Sequence, residues 1–243
     1  MNALAWIIVS TFLVSLISLI GIFTLSLKKK LLNKIVLYLV ALSAGALISA
    51  VFVHLLPEAV AEFSNSPIFD FVLVGFILFF LMEKVLHWRH CHDLECKVHT
   101  FAYVNLIGDA VHNFTDGLII AAAFLVNVQL GLITLFAIAL HEIPQEIGDF
   151  GVLIYAGFAR RKALFYNFLV ALTVVLGGVV GYFASSLFDF VLPFLIPFAA
   201  GGFLYISASD LIPEIRKEVS VKKSLLTFVV FLAGMLLMKL VVV

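Results

Sequence analysis

The sequence predicts an all-α integral membrane protein of eight transmembrane helices, and three observations carry that prediction. The 243-residue chain is 64% hydrophobic and only 12% charged, with a mean hydropathy of +1.21. A soluble domain carries roughly a quarter charged residues, so half that fraction belongs to a chain whose solvent is lipid. Eight apolar runs, each near the ~20 residues that a span needs, follow one another with short connections. Finally, the basic residues gather in alternate connections.

The first run, Leu4–Leu27, lacks the positive n-region of a cleavable signal peptide and reads as a retained helix. Ile35–Leu56 and Ile68–His87 follow, then two runs interrupted by polar residues, Phe101–Val126 and Leu130–Phe158. Ala163–Leu187, Pro193–Ile212 and Leu225–Val242 complete the set. Residues 1–243 thus form a single transmembrane domain, with 88–100 as its one loop rich in His and Cys.

Lysine and arginine orient the bundle. Lys28, Lys29, Lys30 and Lys34 follow the first run; Lys84, Arg89 and Lys97 surround the third loop. Arg160, Arg161 and Lys162 mark the fifth connection, and Arg216, Lys217, Lys222 and Lys223 the seventh. That puts 14 of 15 basic residues on one side, with Lys239 alone near the other. The positive-inside rule makes these loops cytoplasmic and both termini extracytoplasmic. Short loops point to a prokaryotic cytoplasmic membrane. A formal net charge of zero argues against a nucleic-acid partner. Two cysteines, Cys91 and Cys96, are too few for a disulfide scaffold.

An inverted repeat lies inside this topology. Ala44-Gly45-Ala46 followed by His54-Leu55-Leu56-Pro57-Glu58 recurs as Ala200-Gly201-Gly202 followed by Asp210-Leu211-Ile212-Pro213-Glu214, always 156 residues on. The second helix runs outward and the seventh inward. Helices one to three therefore mirror six to eight around helices four and five, an arrangement typical of transporters.

Ionisable groups at membrane depth cost several kcal/mol and read as functional. They concentrate in the fourth run (Asp109, His112, Asn113, Asp116) and the fifth (His141, Glu142, Gln145, Glu146, Asp149). His112 and Asp116 stand four apart, as do His141 and Gln145, and Glu142 and Glu146. That spacing puts each pair on one helix face. Imidazole with carboxylate and amide oxygens suits zinc, iron or manganese. Pro144 frees the Leu140 carbonyl, which is tolerated where a helix lines a cavity.

The stretches His112-Asn113-Phe114-Thr115-Asp116-Gly117 and His141-Glu142-Ile143-Pro144-Gln145-Glu146-Ile147-Gly148-Asp149-Phe150 resemble the hallmark motifs of the ZIP (Zrt-, Irt-like) metal transporters. The nearest subfamily pattern is HNFTDG with HEIPHEIGDF. His54–Ala59 and Ala200–Glu214 also look like ZIP second and seventh helices, so the resemblance runs over nearly the whole chain. It implies eight helices with both ends outside, zinc, iron, manganese and sometimes cadmium as substrate moving into the cytosol, and a binuclear mid-membrane centre. One ion would be held by His112, Asp116, His141 and position 145; a second by Asn113, Asp116, Glu142, position 145 and Asn167. An elevator-like slide of helices one, four, five and six is the mechanism it implies.

Gln145 departs from the pattern, which has histidine there. Its carbonyl oxygen is neutral and a weaker donor than imidazole. Asp116 and Glu142 balance one divalent ion, so the expectation is a single well-held ion with the second weak or transient. Zinc leads, with iron and manganese left open; no organic cofactor is expected, and a homodimer is allowed. His54 and Glu58, and Asp210 and Glu214, read either as relay ligands at entrance and exit or as ordinary wetted helix ends. The loop residues His90, Cys91, His92 and Cys96 offer a reduced receiving or sensing site, or a surface loop with no such role. Two alternatives stand beside the transporter. An intramembrane zinc protease is suggested by HEIPQ, although it lacks the second histidine of H-E-x-x-H and has a proline inside. The other is a metal-gated channel or sensor.

Overall fold

The computed structural model describes residues 2–24, 29–63, 66–88, 98–187 and 191–240. Backbone groups find no partners in lipid, so an apolar chain must satisfy them within each segment, and the described residues are helical almost throughout. Helix α1 is Ala3–Ser15, continued by a 3₁₀ turn (Leu16–Ile20) and Gly21–Thr24. Helix α2 is Lys29–Ala50, a π segment Val51–Leu55 and Leu56–Glu62. Then come α3 (Ile68–Trp88), α4 (Val98–Val126) and α5 (Val128–Tyr155). Helix α6 is Arg160–Ala171 and Thr173–Leu187. Helix α7 is Val191–Tyr205, a π segment Ile206–Leu211 and Ile212–Arg216; α8 is Val221–Leu240. Seven of these are long and apolar enough to span a membrane, and α3 is apolar over Ile68–Met82.

Two spans run past the bounds the sequence suggests. Pro57 and Pro213 do not end α2 and α7. Each sits in the first turn of a helix that resumes after a π segment and continues to Glu62 or Arg216. The widened π turn accommodates the missing N–H. Both π segments sit at equivalent places in the 156-residue repeat, and the packing follows the same symmetry. Helix α2 lies against α8 and α7 against α3; α4 lies against α6 and α5 against α1. Exchanging one to three with six to eight, and four with five, maps the first pair onto the second and the third onto the fourth.

These contacts also sort the helices into two groups. Helices α1, α4, α5 and α6 pack among themselves, as do α2, α3, α7 and α8, with α2–α5 and α4–α7 contacts joining the groups. Hydroxyl-to-carbonyl bonds knit each group: Thr173 to Ala110 at 2.9 Å in the first, Ser207 to Ala44 at 3.0 Å and Ser49 to Met235 at 2.9 Å in the second. Such bonds join helices where burial gives no hydrophobic drive. Phenylalanines lie both outside and inside the bundle: Phe69 and Phe165 are exposed, while Phe124 and Phe203 are buried.

Candidate metal centre

Helices α4 and α5 are joined through the single residue Asn127, whose side chain caps α5 by accepting from the Leu130 N–H at 2.7 Å. This tight turn lays the two helices antiparallel and brings their polar faces together. His112, Asp116, His141 and Glu142 each place one ligand atom within 4.8 Å of all the others, and all four residues are buried. His112 Nε2 is 3.2 Å from His141 Nε2 and 3.4 Å from Glu142 Oε1. His141 Nε2 is 3.3 Å from Asp116 Oδ2 and 3.7 Å from Glu142 Oε1, and His112 Nε2 is 3.7 Å from Asp116 Oδ2. Donors bound tetrahedrally at 2.0–2.1 Å lie about 3.3 Å apart, so this spacing is that of a zinc-sized shell.

The electrostatics ask for a cation. Asp116 Oδ1 and Oδ2 and Glu142 Oε1 are buried without a hydrogen-bond partner. Each such orphan costs about 1–3 kcal/mol. His141 Nδ1–H donates to the Ala137 carbonyl at 3.2 Å, since a carbonyl only accepts. That fixes the tautomer and turns the Nε2 lone pair toward the cluster. Rings of Phe79 against His112 and Phe203 against His141 close the apolar side.

The other expected ligands make hydrogen bonds of their own on α4, α5 and α6. Gln145 Nε2 donates to Asp109 Oδ1 at 3.3 Å, and Asn113 Nδ2 donates to the same oxygen at 2.8 Å. Glu146 is buried and accepts from the amide of Asn167 on α6. The Oδ1 atoms of Asn113 and Asn167 remain buried and unpartnered. The sequence motifs assign no ligand role to Asp109, Asp149 or Asn105. Asn105 Nδ2 donates to Asp149 Oδ1 at 2.8 Å. The signal for all three is the same four-residue step: 105, 109, 113 on α4 and 145, 149 on α5.

The carbonyl freed by Pro144 has a partner instead of facing a cavity. Ser43 Oγ of α2 lies 2.6 Å from the Leu140 carbonyl oxygen. Ser43 Oγ also lies 2.8 Å from the Leu39 carbonyl of its own helix, so it shares its one hydrogen. Ser43→Ala leaves the part-buried Leu140 carbonyl unpaired, with an expected stability loss of about 1 kcal/mol, read as a lower thermal-unfolding midpoint in detergent.

At the helix ends, His54 is buried and its Nε2 donates to the Met238 carbonyl of α8 at 3.0 Å. Glu58 accepts from Asn127, tying α2 to the α4–α5 turn. Asp210 is exposed on the π segment of α7, and exposed Glu214 pairs with Lys217. A cleft of about 490 Å³ lined by Val36, Val40, Ile147, Glu214, Lys217 and Glu218 opens between α2, α5 and α7. Glu218 at its rim sits below the usual carboxylate range, held there first by the Ser220 N–H and then by Lys223. His90, Cys91, His92 and Cys96 lie outside the described residues.

The family model described as ZIP Zinc transporter matches residues 3–96 and 89–241. The chain belongs to the ZIP family. Among its relatives, Zinc transporter ZIP13 of Pongo abelii is 34% identical over 219 residues, covering 82% of this chain and 65% of that protein. Human Zinc transporter ZIP13 is 31% identical, with 82% and 69% covered. Zinc transporter zipt-7.2 of Caenorhabditis elegans is 37% identical over 153 residues, 61% of this chain and 33% of its own length. This ZIP chain thus spans between about a third and two thirds of the length of the curated relatives it matches. Membership of a transporter family sets aside the protease alternative, and Gln145 stands where that motif needs its second histidine.

Proposed function

We propose that this multi-pass membrane protein carries divalent metal ions, zinc first, through the His112–Asp116–His141–Glu142 cluster and into the cytoplasm. The observation that supports it most is the cluster itself: four buried donors within 4.8 Å of one another, with three carboxylate oxygens left unpartnered. Curated relatives printed as zinc transporters support the substrate, and two imidazoles favour zinc while the carboxylates keep iron and manganese as competitors. Residues 1–243 act as one transporter domain. The clustered basic residues orient the chain with both termini outside the cell membrane. A divalent ion entering down an inside-negative potential gains about 4.6 kcal/mol per 100 mV, which drives uptake without ATP.

The two helix groups give the carrier reading a physical basis. The cluster's ligands all lie on α4 and α5, within the group α1, α4, α5 and α6. A slide of that group would move the site as a unit and must break Ser43–Leu140 and Asn127–Glu58, which cross between groups. The test is uptake of zinc, manganese and ferrous iron into proteoliposomes holding a metal-sensitive dye, under an inside-negative potential. Saturation at micromolar metal supports a carrier; a non-saturating conductance turns the mechanism to a channel; no uptake of any of the three sinks the proposal.

A neutral Gln145 keeps the ion loosely held, as release requires. Gln145→His adds an imidazole beside the cluster and removes a donor from Asp109. Zinc affinity should rise on the order of tenfold, about 1.4 kcal/mol, with a lower maximal uptake rate. Isothermal titration and the dye assay read the two effects separately.

A further inference from the structure

Between their outer ends and the cluster, α4 and α5 are almost bare of polar side chains. From Gly117 to Val126 α4 has none, and between Gln129 and His141 α5 has one, Thr134. Thr134 precedes His141 by two helical turns, so the two residues share a face of α5. The register that sets His112 against His141 and Asp109 against Gln145 brings Thr134 level with Ile119 and Ile120. That is about one turn, ~5.4 Å, outward of Asp116. Ile119, Ile120, Ala137 and Ile138 are fully buried in one apolar cluster. An ion entering from outside meets this plug before it meets Asp116.

The hydroxyl at this level differs from its fellows. A helical threonine commonly donates to a carbonyl of the preceding turn. Thr11, Thr115, Thr173 and Thr227 all do so, at 2.8, 2.9, 2.7 and 2.8 Å. Thr134 is only 1% exposed, yet its Oγ1 has no partner. A buried group is left free on the face that leads to His141.

We propose that the Thr134 hydroxyl sets the rate of ion entry by wetting the apolar plug outward of the cluster. A purely apolar constriction gates by dewetting, and an ion stripped of water there finds nothing to replace its shell. A hydroxyl offers one donor and two lone pairs. With none of them engaged, it can hold a water or face the passing ion directly. Being neutral, it makes no deep well in which the ion would stall. Thr134 serves passage and is no ligand of the bound ion. The proposal rests on inward carriage through the central cluster, and its test separates the two.

Thr134→Val keeps the shape and removes the hydroxyl, whereas Thr134→Ser keeps the hydroxyl. The full chain with each change is tested for zinc uptake in dye-loaded proteoliposomes, beside wild type and Asp116→Ala. Zinc titration and thermal unfolding in detergent accompany the rates. Thr134→Val should lower the maximal uptake rate about tenfold, as one hydrogen bond lost from the barrier does. Its zinc affinity should match wild type. Its unfolding midpoint should hold or rise, since an unpartnered buried hydroxyl has gone. Thr134→Ser should restore the rate. The proposal is overturned if Thr134→Val transports as fast as wild type, or if Thr134→Ser is as slow as Thr134→Val. A slower rate that comes with weaker zinc binding or a lower midpoint also overturns it, because Thr134 is then a ligand or a strut. Failure of the central reading looks different: wild type takes up no zinc, or Asp116→Ala takes it up as fast.

Discussion

Asp116→Ala is expected to abolish metal uptake while leaving the metal-free protein as stable as wild type, or more so. Asp116 Oδ2 lies 3.3 Å from His141 Nε2 and 3.7 Å from His112 Nε2, and neither of its oxygens has a hydrogen-bond partner. With the aspartate gone, Glu142 alone faces a doubly charged ion in a low-dielectric site. Breaking a buried charge pair costs roughly 3–5 kcal/mol, which is two to more than three powers of ten in affinity. Uptake into dye-loaded proteoliposomes should therefore fall to the protein-free leak. The stability readout separates a ligand from a strut. If Asp116 held α4 and α5 together, its removal would lower the unfolding midpoint. An orphaned buried carboxylate costs free energy in the empty protein, so removing it should not. Uptake equal to wild type sinks the central-site reading, and a collapsed midpoint with residual zinc binding returns Asp116 to a structural role.

The residues that can be recognised from the sequence are those whose neighbours lie one turn away. His112 and Asp116 share a face by their spacing of four, so the ligand-rich faces of α4 and α5 are legible from the residues alone. That His141 meets them follows from adjacency of the two helices, with Asn127 as the whole connection. What spacing does not contain is side-chain direction. Gln145 turns to Asp109 and Glu146 to Asn167, and both choices depend on partners 36 and 21 residues away. The fate of the Leu140 carbonyl is hidden for the same reason, since Ser43 lies on another helix 97 residues earlier. At the helix ends, proline is ambiguous. An isolated Pro57 or Pro213 reads equally as a stop or as the first turn of a resumed helix, and the π segments before them decide for the second.

Helix pairing is the other illegible feature, and it yields the largest expected stability effect. The repeat can be read from Ala44-Gly45-Ala46 and Ala200-Gly201-Gly202, but nothing in it says which helices press on those glycines. In the structure a Cβ on Gly45 would fall 2.0 Å from the Phe231 carbonyl oxygen of α8, and one on Gly201 would fall 2.1 Å from the Val72 carbonyl oxygen of α3. The reciprocal glycines are there as well: a Cβ on Gly234 would meet Leu42 O at 2.1 Å, and one on Gly75 would meet Phe198 O at 2.2 Å. Backbone presses on backbone at both crossings, so no flexible side chain can give way. Gly45→Ala and Gly201→Ala should each force their helices apart and cost about 3 kcal/mol or more, the upper end of overpacking. Because the two positions are related by the repeat, the losses should be alike. Gly148→Ala is the contrast, since nothing lies within 4 Å of its added Cβ. There the better helix propensity of alanine should raise stability by up to about 1 kcal/mol. Thermal unfolding of the metal-free protein in detergent measures all three. A tolerated Gly45→Ala beside a damaging Gly201→Ala would mean that the repeat survives in sequence but not in packing. Equal, large losses would mean that both halves are still clamped by the same glycine contact.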